Sequence, residues 1–471
     1  MSNPPTPLGT SRDVYRYRKQ RGVNLGSGFV LEKWITPHPF RNAGNGESDL
    51  QVAGGQDARK LFEEHWGSWI QESDWQWMVQ HGYNTVRIPV GYYHLCGPEP
   101  RVIQNTDFAP YQNVFEGAWA IIDKAIASAA RFNIGVLIDL HAAVGAQNPD
   151  AHSGVGNKQV KLWEGSNADS TQFALHTLLS KLLPHENVVG VELLNEPNDR
   201  DFLPEWYNHV LSDLRGLSSD IPLYIADAWH PERYCKWTGD RADFTIVDMH
   251  IYRCFTEEDH KKYGDQHAAE IRDTTAKQFR EYSKQSRGNM IVGEFSAALG
   301  RQPPGANAGE MDRQCRVFAQ AELAVFEETC GGWFFWTLKK QQGWDAGWSL
   351  MNATQAEIMP AYVGKRKTWV PDDARRDQEK TKAYTNHVNY WKGKMAKEEH
   401  WRFETGFLQG WNDGKLFMNF PGNTSRSEIG YMTEWTRRRV AEHVAAKGGG
   451  DLVWEFEHGF ANGYKTIYGI V

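Results

Sequence analysis

Cysteine is scarce in this chain, and the few cysteines present are scattered. Among 471 residues there are five, and none forms a CxxC pair. They are Cys96, Cys235, Cys254, Cys315 and Cys330. An odd, dispersed set predicts neither a zinc site nor a disulfide framework. Residues 1–20 also lack the apolar segment of a signal peptide, so we expect a reducing, cytoplasmic location.

Long apolar runs, an excess of basic residues and low-complexity linkers are also absent. No uninterrupted apolar stretch approaches the ~18 residues needed to span a membrane, so we expect no membrane association. The formal net charge of −7 argues against a nucleic-acid partner, because phosphate binding requires clustered Lys and Arg. Nothing in the sequence indicates a protein partner.

Aromatic side chains, in contrast, are abundant: they make up 13% of the residues and include 20 Trp. Trp offers a flat apolar face with a donor at its edge, and sugars present flat C–H faces. The excess of Trp is therefore compatible with a carbohydrate cleft, although core packing is the commoner role of any single Trp. With 40% hydrophobic residues, the chain can bury a sizeable core in one large domain plus an extension.

Eight short apolar runs predict the fold, since most are too apolar to alternate and therefore read as parallel strands covered on both faces. The predicted strands are Val23–Gly26, Thr85–Val90, Gly135–His141, Val188–Asn195, Pro222–Ala228, Phe244–Tyr252, Met290–Phe295 and Gly332–Leu338. Helical patterns lie between them at Trp66–His81, Glu116–Phe132, Gln172–Leu183, Glu205–Leu217, His267–Ser286 and Met311–Glu328. This alternation predicts an α/β fold, a (β/α)8 TIM barrel. An open doubly wound sheet would require a Gly-rich phosphate-binding turn, which the sequence lacks.

The rest of the sequence completes the predicted domain organisation. We expect an N-terminal arm over residues 1–20, the barrel over residues 21–395, and an appendage packed on the barrel over residues 396–471. Further helical patterns lie at Asp373–Lys394 and Met432–Lys447. The appendage contains an internal repeat, Phe403–Trp411 and Phe456–Tyr464, whose two copies are too few for a solenoid. A separate sugar-binding module is the alternative interpretation of this appendage.

Polar residues gather at the carboxyl ends of the predicted strands, where barrels of this kind place their active sites. Buried charges are costly unless they are paired, so core strands should not end this way by chance. The residues concerned are Arg87, Asp139, His141, Asn195, Glu196, His250, Tyr252, Glu294 and Trp336. Glu196 and Glu294 would supply the two carboxylates that hydrolysis of a glycosidic bond requires.

The two glutamates would have different roles. Glu294 would be the nucleophile, with its pKa held down by the charge of Arg87 and a hydrogen bond from Tyr252. Glu196 would be the general acid and then the general base, with its pKa raised by the negative charge of Glu294.

Two neighbouring residues would bind the sugar itself. Asn195 could donate a hydrogen bond to the sugar 2-hydroxyl, and Trp336 could be the floor on which the ring stacks. Carboxyl groups about 5–5.5 Å apart retain the anomeric configuration, whereas groups about 6.5–9.5 Å apart invert it. The sequence alone leaves both outcomes open.

A metal centre is the rival interpretation of the same strand ends. His141, His250 and Asp139 have the side chains that bind zinc or a related ion. The two histidines lie on different strands, however, and show neither HxH nor HExxH spacing. We therefore predict no metal and no cofactor.

Seven segments carry a further signal at these strand ends. They are Arg21–Pro37, Val86–Val90, Ile138–Ala142, Leu194–Pro197, Asp248–Tyr252, Gly293–Ser296 and Gly332–Trp336. In this order they resemble the motifs of glycoside hydrolase family 5, and within it those of the fungal exo-β-1,3-glucanase group. The resemblance spans roughly residues 20–360. A lone Asn-Glu-Pro would be a weak signal, whereas seven motifs in order are a specific one.

The resemblance implies a role for each matching residue. Glu294 matches the family nucleophile, and Glu196 matches its acid/base. The shell around the reacting sugar is matched by Arg87, His141, Asn195, His250, Tyr252 and Trp336. Glu32 matches a carboxylate that binds hydroxyls of the terminal glucose, and Phe255 matches one aromatic of the pair at the pocket entrance.

Three positions depart from the family pattern. Asp150 stands where the partner entrance aromatic is expected, and Phe295 and Leu338 stand where the family usually has Trp. These departures imply that the site for the reacting sugar is retained while the aglycone side is remodelled. The lack of a signal peptide is a further departure, because most of these glucanases are secreted.

We therefore predict a retaining, exo-acting β-glucosidase or glucan 1,3-β-glucosidase, with β-glucan or a β-glucoside as its carbohydrate substrate. The first alternative is a retaining β-glycosidase for a non-glucan aglycone, such as a glycolipid, steryl or disaccharide glycoside. The second alternative is a non-catalytic carbohydrate-binding protein. Such a protein would usually lose a carboxylate, whereas Glu196 and Glu294 are both present.

Overall fold

The computed structural model describes residues 8–367, 369–394, 397–421 and 425–470, and these form two compact units. One unit is Gln20–Val363, and the other combines the described parts of Met1–Lys19 and Gly364–Val471. The sequence prediction divided the chain elsewhere, at residues 20/21 and 395/396. The helix Asp373–Trp391 falls in the second unit because it packs against the helices that follow it. Residues 1–7 of the predicted arm lie outside the described residues.

The first unit is a closed barrel of eight parallel strands, in which the last strand pairs with the first. The strands are β1 (Gln20–Asn24), β2 (Thr85–Gly91), β3 (Gly135–Ala142), β4 (Val188–Glu192), β5 (Leu223–Ala226), β6 (Thr245–Ile251), β7 (Met290–Phe295) and β8 (Gly332–Phe335). All their residues are buried except Ile251, which is half-buried. Burial on both faces explains why the runs are apolar rather than alternating. The predicted (β/α)8 barrel is confirmed.

Helices separate the strands along the chain and make up most of the second unit. They are α1 (Ser11–Tyr17), α2 (Asp49–Ala53), α3 (Ala58–Ser68), α4 (Glu72–Gln80), α5 (Gln112–Phe115), α6 (Ala118–Arg131), α7 (Asn167–Leu182), α8 (Leu203–Leu217), α9 (Pro231–Gly239), α10 (Gly264–Glu270), α11 (Ala276–Gln285), α12 (Ala308–Thr329), α13 (Leu350–Gln355), α14 (Asp373–Trp391), α15 (Trp401–Met418), α16 (Met432–Lys447) and α17 (Trp454–Ile470). Among the described residues, none of these helices is long and apolar enough to cross a membrane.

Two predicted helices differ from the observed ones. The pattern at Trp66–His81 covers the end of α3 and all of α4, because the carboxylate of Asp74 accepts from the backbone of Gln71 and starts a new helix there. The pattern at His267–Ser286 covers α10 and α11, which are joined by a turn of π-helix at Ile271–Thr275.

Several strands end earlier than predicted, and β4 is the clearest case. Strand β4 stops at Glu192, whereas the apolar run extends to Asn195. The backbone N–H of Asn195 donates to the carbonyl of Leu140 at 3.1 Å, after β4 has already left its ladder with β5. The residues that follow each strand are thereby released to form loops at the carboxyl edge of the barrel.

The second unit explains the internal repeat of the sequence. The copy Phe403–Trp411 lies in α15, and the copy Phe456–Tyr464 lies in α17. Glycines spaced four apart form the contact between these helices, namely Gly406, Gly410, Gly459 and Gly463. A Cβ on Gly463 would lie 2.0 Å from the carbonyl oxygen of Phe407, so only glycine permits this approach. The two helices run parallel, and α16, confirmed at its predicted bounds, returns the chain between them.

We expect Gly463→Ala to destabilise the second unit by about 1–3 kcal/mol, because the added methyl group overpacks the α15–α17 contact. Hydrogen exchange measured by mass spectrometry should show faster exchange in peptides from α15 and α17. The matched control is Gly469→Ala in the same helix, where an added Cβ meets nothing within 4 Å. That variant should be neutral or stabilising by at most about 1 kcal/mol. Equal exchange in the two variants would contradict the packing argument.

Candidate active site

A cavity of about 940 Å³ opens at the carboxyl edge of the barrel. Its lining includes residues from the ends of β3, β6 and β7 and from the loops that follow the strands. These residues are Glu32, Trp34, His141, Asp150, His152, Glu196, Trp229, His250, Ile251, Tyr252, Arg253, Phe255, Thr256, Glu294, Trp336 and Trp348. Eight of the ten predicted site residues line the cavity; the other two, Arg87 and Asn195, are fully buried and hydrogen-bonded to each other.

The two predicted carboxylates meet in this cavity. A carboxylate oxygen of Glu196 and one of Glu294 lie within 4.8 Å of each other. Glu294 lies in β7, whereas Glu196 lies in the loop after β4 with a left-handed backbone (φ 43°). The carbonyl of Glu196 accepts from the side-chain amide of Asn148 at 3.0 Å, which holds this conformation. This approach is compatible with the separation of about 5–5.5 Å between carboxyl groups in retaining enzymes.

The carboxylate of Glu294 is held by two donors. Nη1 of Arg87 donates to Oε1 at 2.8 Å, and the hydroxyl of Tyr252 donates to Oε2 at 2.7 Å. Arg87 is fully buried and also donates to Glu192 at 2.7 Å. Burial lowers the pKa of Arg87, but the carboxylates of Asp139 and Glu192, with others around it, raise that pKa well above its usual value. Arg87 is therefore the fixed positive charge beneath the site.

The electrostatics of the two glutamates reverse the sequence prediction. Burial raises the pKa of Glu294, and the charges of His250 and Arg87 only partly oppose it. Burial also raises the pKa of Glu196, but the hydrogen bond and the positive charge of His250 outweigh burial and lower this pKa to about 2. The cause is a contact that the sequence does not reveal: Nδ1 of His250 lies 2.6 Å from Oε1 of Glu196.

His250 therefore holds the proton in this network. Burial lowers its pKa, but Glu294, Asp248 and Glu196 surround the imidazole and raise the pKa well above its usual value. Nδ1 of His250 is 3.5 Å from Glu294 and 2.6 Å from Glu196, so one imidazolium stands between both carboxylates.

The predicted metal alternative is not supported by the described residues. His141 directs Nδ1 to Asp139 at 2.6 Å and stacks on Trp336, with 5.7 Å between ring centroids and 7° between planes. The barrel clusters whose ligand atoms converge within 4.8 Å are Glu192–Asp248–His250 and Glu196–His250–Glu294, and neither contains His141. The imidazole of His141 is instead held by Asp139 and stacked on Trp336, and both rings line the cavity.

Aromatic residues build the outer part of the cavity. The indole of Trp34 donates to Oε2 of Glu32 at 2.8 Å, and Trp34 packs edge-to-face on Trp348 at 5.3 Å. Trp348 also contacts Tyr252 at 5.4 Å and Phe255 at 5.9 Å between ring centroids. Phe255 is 68% exposed, in keeping with a place at the entrance.

The sequence analysis missed seven residues that line the cavity, namely Trp34, His152, Trp229, Ile251, Arg253, Thr256 and Trp348. Only the high Trp content of the sequence indicated the three indoles, because no motif or residue spacing identified them. Nε2 of His152 lies 3.6 Å from Glu196 and 3.8 Å from Asp150. Asp150 itself lines the cavity, as its place in the sequence suggested.

Phe295 and Leu338, the other two departures from the family pattern, are fully buried and do not line the cavity. Phe295 packs edge-to-face on Phe326 and Trp333 in the core. Of the three departures, Asp150 is therefore the one placed to contact a ligand.

A parallel barrel with two carboxylates this close at its carboxyl edge has the fold and the site of a glycoside hydrolase. The sequence profile "Cellulase (glycosyl hydrolase family 5)" matches residues 52–342, and the chain belongs to this family. A second profile, "Glucan 1,3-beta-glucosidase 3 C-terminal domain", matches residues 372–471. The predicted family and the predicted enzyme class are thus confirmed, and the alternative of a non-catalytic binding protein loses its support.

Fungal relatives extend the similarity over the whole chain. Glucan 1,3-beta-glucosidase 3 of Schizosaccharomyces pombe is 32% identical over 464 residues, which cover 95% of each chain. Probable glucan 1,3-beta-glucosidase A of Aspergillus clavatus is 31% identical over 383 residues, covering 71% of this chain and 87% of the relative. The crystal structure of rutinosidase from Aspergillus niger shares the fold, with a TM-score of 0.60 and 16% identity over 73% of this chain and 98% of that one.

Proposed function

We propose that the protein is a retaining, exo-acting β-glucosidase that releases glucose from β-1,3-linked glucan. The observation that carries the proposal is the approach of Glu196 and Glu294 to within 4.8 Å, in a cavity that also contains Glu32. The names of the fungal relatives support β-1,3-glucan as the substrate class.

In the first step, a carboxylate oxygen of Glu294 attacks the anomeric carbon of the glucose. The bond from that carbon to the leaving oxygen breaks, and the leaving oxygen takes a proton from Glu196. In the second step, Glu196 removes a proton from water, the water oxygen attacks the same carbon, and the bond to Glu294 breaks. Two inversions retain the configuration of the sugar.

The proton for the first step is stored in the hydrogen bond between His250 and Glu196. Nδ1 of His250 and Oε1 of Glu196 are 2.6 Å apart, so the proton moves along an existing bond. Its transfer leaves His250 neutral and Glu196 protonated, as a general acid must be. Arg87 and Tyr252 meanwhile stabilise the ionised form of Glu294 through their two hydrogen bonds.

The remaining predicted residues position the sugar. Asn195 receives a hydrogen bond from Arg87 at 2.8 Å, which fixes its amide for the sugar 2-hydroxyl. The indole face of Trp336 takes the sugar ring, while Glu32 accepts hydrogen bonds from hydroxyls of the terminal glucose. Phe255 stacks on the following unit at the entrance.

Product analysis on a long β-1,3-glucan tests this proposal. We expect glucose as the first product, seen by NMR as the β-anomer before mutarotation. Mixed larger oligosaccharides without early glucose would overturn exo action, and α-glucose appearing first would overturn retention.

A second candidate is a retaining β-glycosidase for a glycolipid, steryl or disaccharide glycoside. Asp150 favours it, because a carboxylate with a side chain 62% exposed lines the cavity where a second entrance aromatic is expected. A substrate panel separates the candidates: turnover of laminari-oligosaccharides alone excludes this second one, and turnover of the other glycosides alone establishes it.

The five cysteines form no disulfide in the described chain, which supports cytoplasmic action as part of the proposal.

The affinity for substrate should depend on the protonation of Glu32. Burial raises the pKa of Glu32 to about 7, although His152 and the indole of Trp34 oppose the shift. As the pH falls through 7, the carboxylate gains a proton and loses acceptor capacity, so KM should rise. Charge-assisted hydrogen bonds contribute about 1.5–3 kcal/mol, so Glu32→Gln should lower kcat/KM about 10- to 100-fold.

Steady-state kinetics on a β-1,3-gluco-oligosaccharide from pH 5.5 to pH 8.5 checks this prediction. In Glu32→Gln, KM should be high and nearly independent of pH. The control Glu205→Gln carries the same chemical change on an exposed position of α8 and should keep the wild-type profile. A wild-type profile in Glu32→Gln would refute the assigned role.

A further inference from the structure

Three ligating side chains converge in the second unit. His387 lies in α14, His400 directly precedes α15, and Glu455 lies in the first turn of α17. Oε2 of Glu455 is 3.0 Å from Nε2 of His387 and 2.8 Å from Nδ1 of His400. Glu455 is fully buried, and both histidine side chains are at least nine-tenths buried. Neither the active site nor its proposed chemistry uses this cluster.

Hydrogen bonds alone leave this cluster poorly satisfied. If both imidazoles donate to the same oxygen of Glu455, Nδ1 of His387 is a buried acceptor, and it has no hydrogen-bond partner. Nε2 of His400 is also without a hydrogen-bond partner, and it lies 3.4 Å from Oε2 of Glu398. An unprotonated nitrogen facing a carboxylate is unfavourable, because two acceptors then point at each other.

We propose that His387, His400 and Glu455 bind a zinc ion through Nε2, Nδ1 and Oε2, respectively. Two imidazoles and one carboxylate are a ligand set that zinc favours. Bonds of about 2.0–2.1 Å in a tetrahedral site place neighbouring ligand atoms roughly 3.3 Å apart. The observed separations of 2.8 and 3.0 Å are close to this value, so small displacements admit the ion.

Zinc binding also gives the second nitrogen of His400 a natural partner. When Nδ1 binds the metal, Nε2 carries the proton and donates towards Glu398 at 3.4 Å. A carboxylate behind a metal-bound histidine orients the ring and increases its basicity. The backbone N–H of Glu399 donates to Oε1 of Glu455 at 3.0 Å, which leaves Oε2 for the metal. The contacts of His400 and Glu455 thus leave Nδ1 and Oε2 available for the metal.

A neighbouring cavity reaches one of the three proposed ligands, His387. This cavity has a volume of about 440 Å³, and its lining includes His387, Tyr390, Trp391 and His458. Three protein ligands leave the fourth position of zinc for water or another ligand. The ring of His387 stacks on Phe403 at 4.0 Å and 14°, which fixes the orientation of this ligand.

The zinc ion would join three segments that are distant in the sequence. Its ligands are up to 68 residues apart, and they cross-link α14 to the starts of α15 and α17. Metal binding to a folded site adds its free energy to folding, so zinc should stabilise the second unit. This inference does not depend on the proposed glycosidase activity.

Metal analysis of the full-length protein tests the inference. The chain is stripped with a chelator, dialysed against micromolar zinc, and assayed by mass spectrometry for bound metal. We expect the wild-type protein to bind one zinc ion. In Glu455→Gln and in His400→Ala the affinity for zinc should be at least about 100-fold weaker, so the ion should be lost. The control His443→Gln removes a buried imidazole of the same unit, whose Nε2 contacts Arg402 at 2.8 Å, and should keep the zinc.

Two further readouts cover the event that Glu455→Gln does not fold. Glu398→Gln changes a partly exposed side chain outside the metal ligands and should weaken zinc about 10- to 100-fold. Cobalt should give the intense visible bands of a four-coordinate site, and zinc should abolish them. Absence of zinc from the folded wild-type protein, or zinc that Glu455→Gln and Glu398→Gln leave unchanged, would overturn the proposal.

Discussion

Replacing Glu294 by Gln should lower kcat by roughly 10⁴- to 10⁶-fold, because an amide cannot attack the anomeric carbon. The substitution keeps the size of the side chain and the hydroxyl contact of Tyr252. It also removes the negative charge that Arg87 faces at 2.8 Å. Because the size of the side chain is kept, binding of substrate should change much less than turnover. The measurement is kcat for glucose release from a β-1,3-gluco-oligosaccharide.

Glu205→Gln is the matched control for this experiment, since Glu205 is exposed on α8, outside the cavity lining. It should show wild-type kcat and wild-type thermal stability. Mass spectrometry of the wild-type enzyme with a slow fluorinated glucoside should detect a glycosyl group on the peptide that contains Glu294. Residual activity above a tenth of the wild type, or a label on another peptide, would exclude Glu294 as the nucleophile.

Replacing Glu196 by Gln should lower kcat on glucan about 10²- to 10⁴-fold, since that is the usual contribution of a general acid. For an aryl glucoside whose leaving group needs no proton, the rate of the first step should fall much less. The intermediate on Glu294 should then accumulate, because water has lost its general base. Azide needs no general base, so it should restore turnover and yield a β-glycosyl azide.

The comparison of the two substrates decides the role of Glu196. An equal loss in the first step, measured as kcat/KM, on glucan and on the activated aryl glucoside would show that Glu196 does not protonate the leaving group. Replacing His250 by Asn serves as a second test, since it removes the imidazole 2.6 Å from Glu196. This variant should shift the acid limb of the pH profile for glucan, while the same limb for the aryl glucoside should change little.

The barrel was predictable because burial on both faces leaves a direct mark on the sequence. Strands such as Met290–Phe295 show as apolar runs, and the observed β7 has these same bounds. The carboxyl ends were harder to predict, as at Val188–Asn195, where the strand stops at Glu192. Composition does not show where a backbone leaves its ladder, because apolar residues are buried both before that point, as Val191 is, and after it, as Leu193 and Leu194 are.

In the second unit the repeat was visible in the sequence, but its structural role was not. A spacing of four between glycines can be interpreted only when two helices are known to pack against each other. The close approach of Gly463 to the carbonyl of Phe407 gives the spacing its physical reason. The cluster at Glu455 was invisible for a related reason: its ligands share no local motif and come together only through packing.

The sequence by itself determined the barrel, the family and the residues at its active edge, because each depends on the chemical type and order of residues along the chain. Only the tertiary structure decided how those residues act on one another. His250 was predicted to be in the shell, yet its place 2.6 Å from Glu196 reverses the expected pKa shifts of the two glutamates. Electrostatic interaction depends on distance and burial in three dimensions, and a sequence records neither.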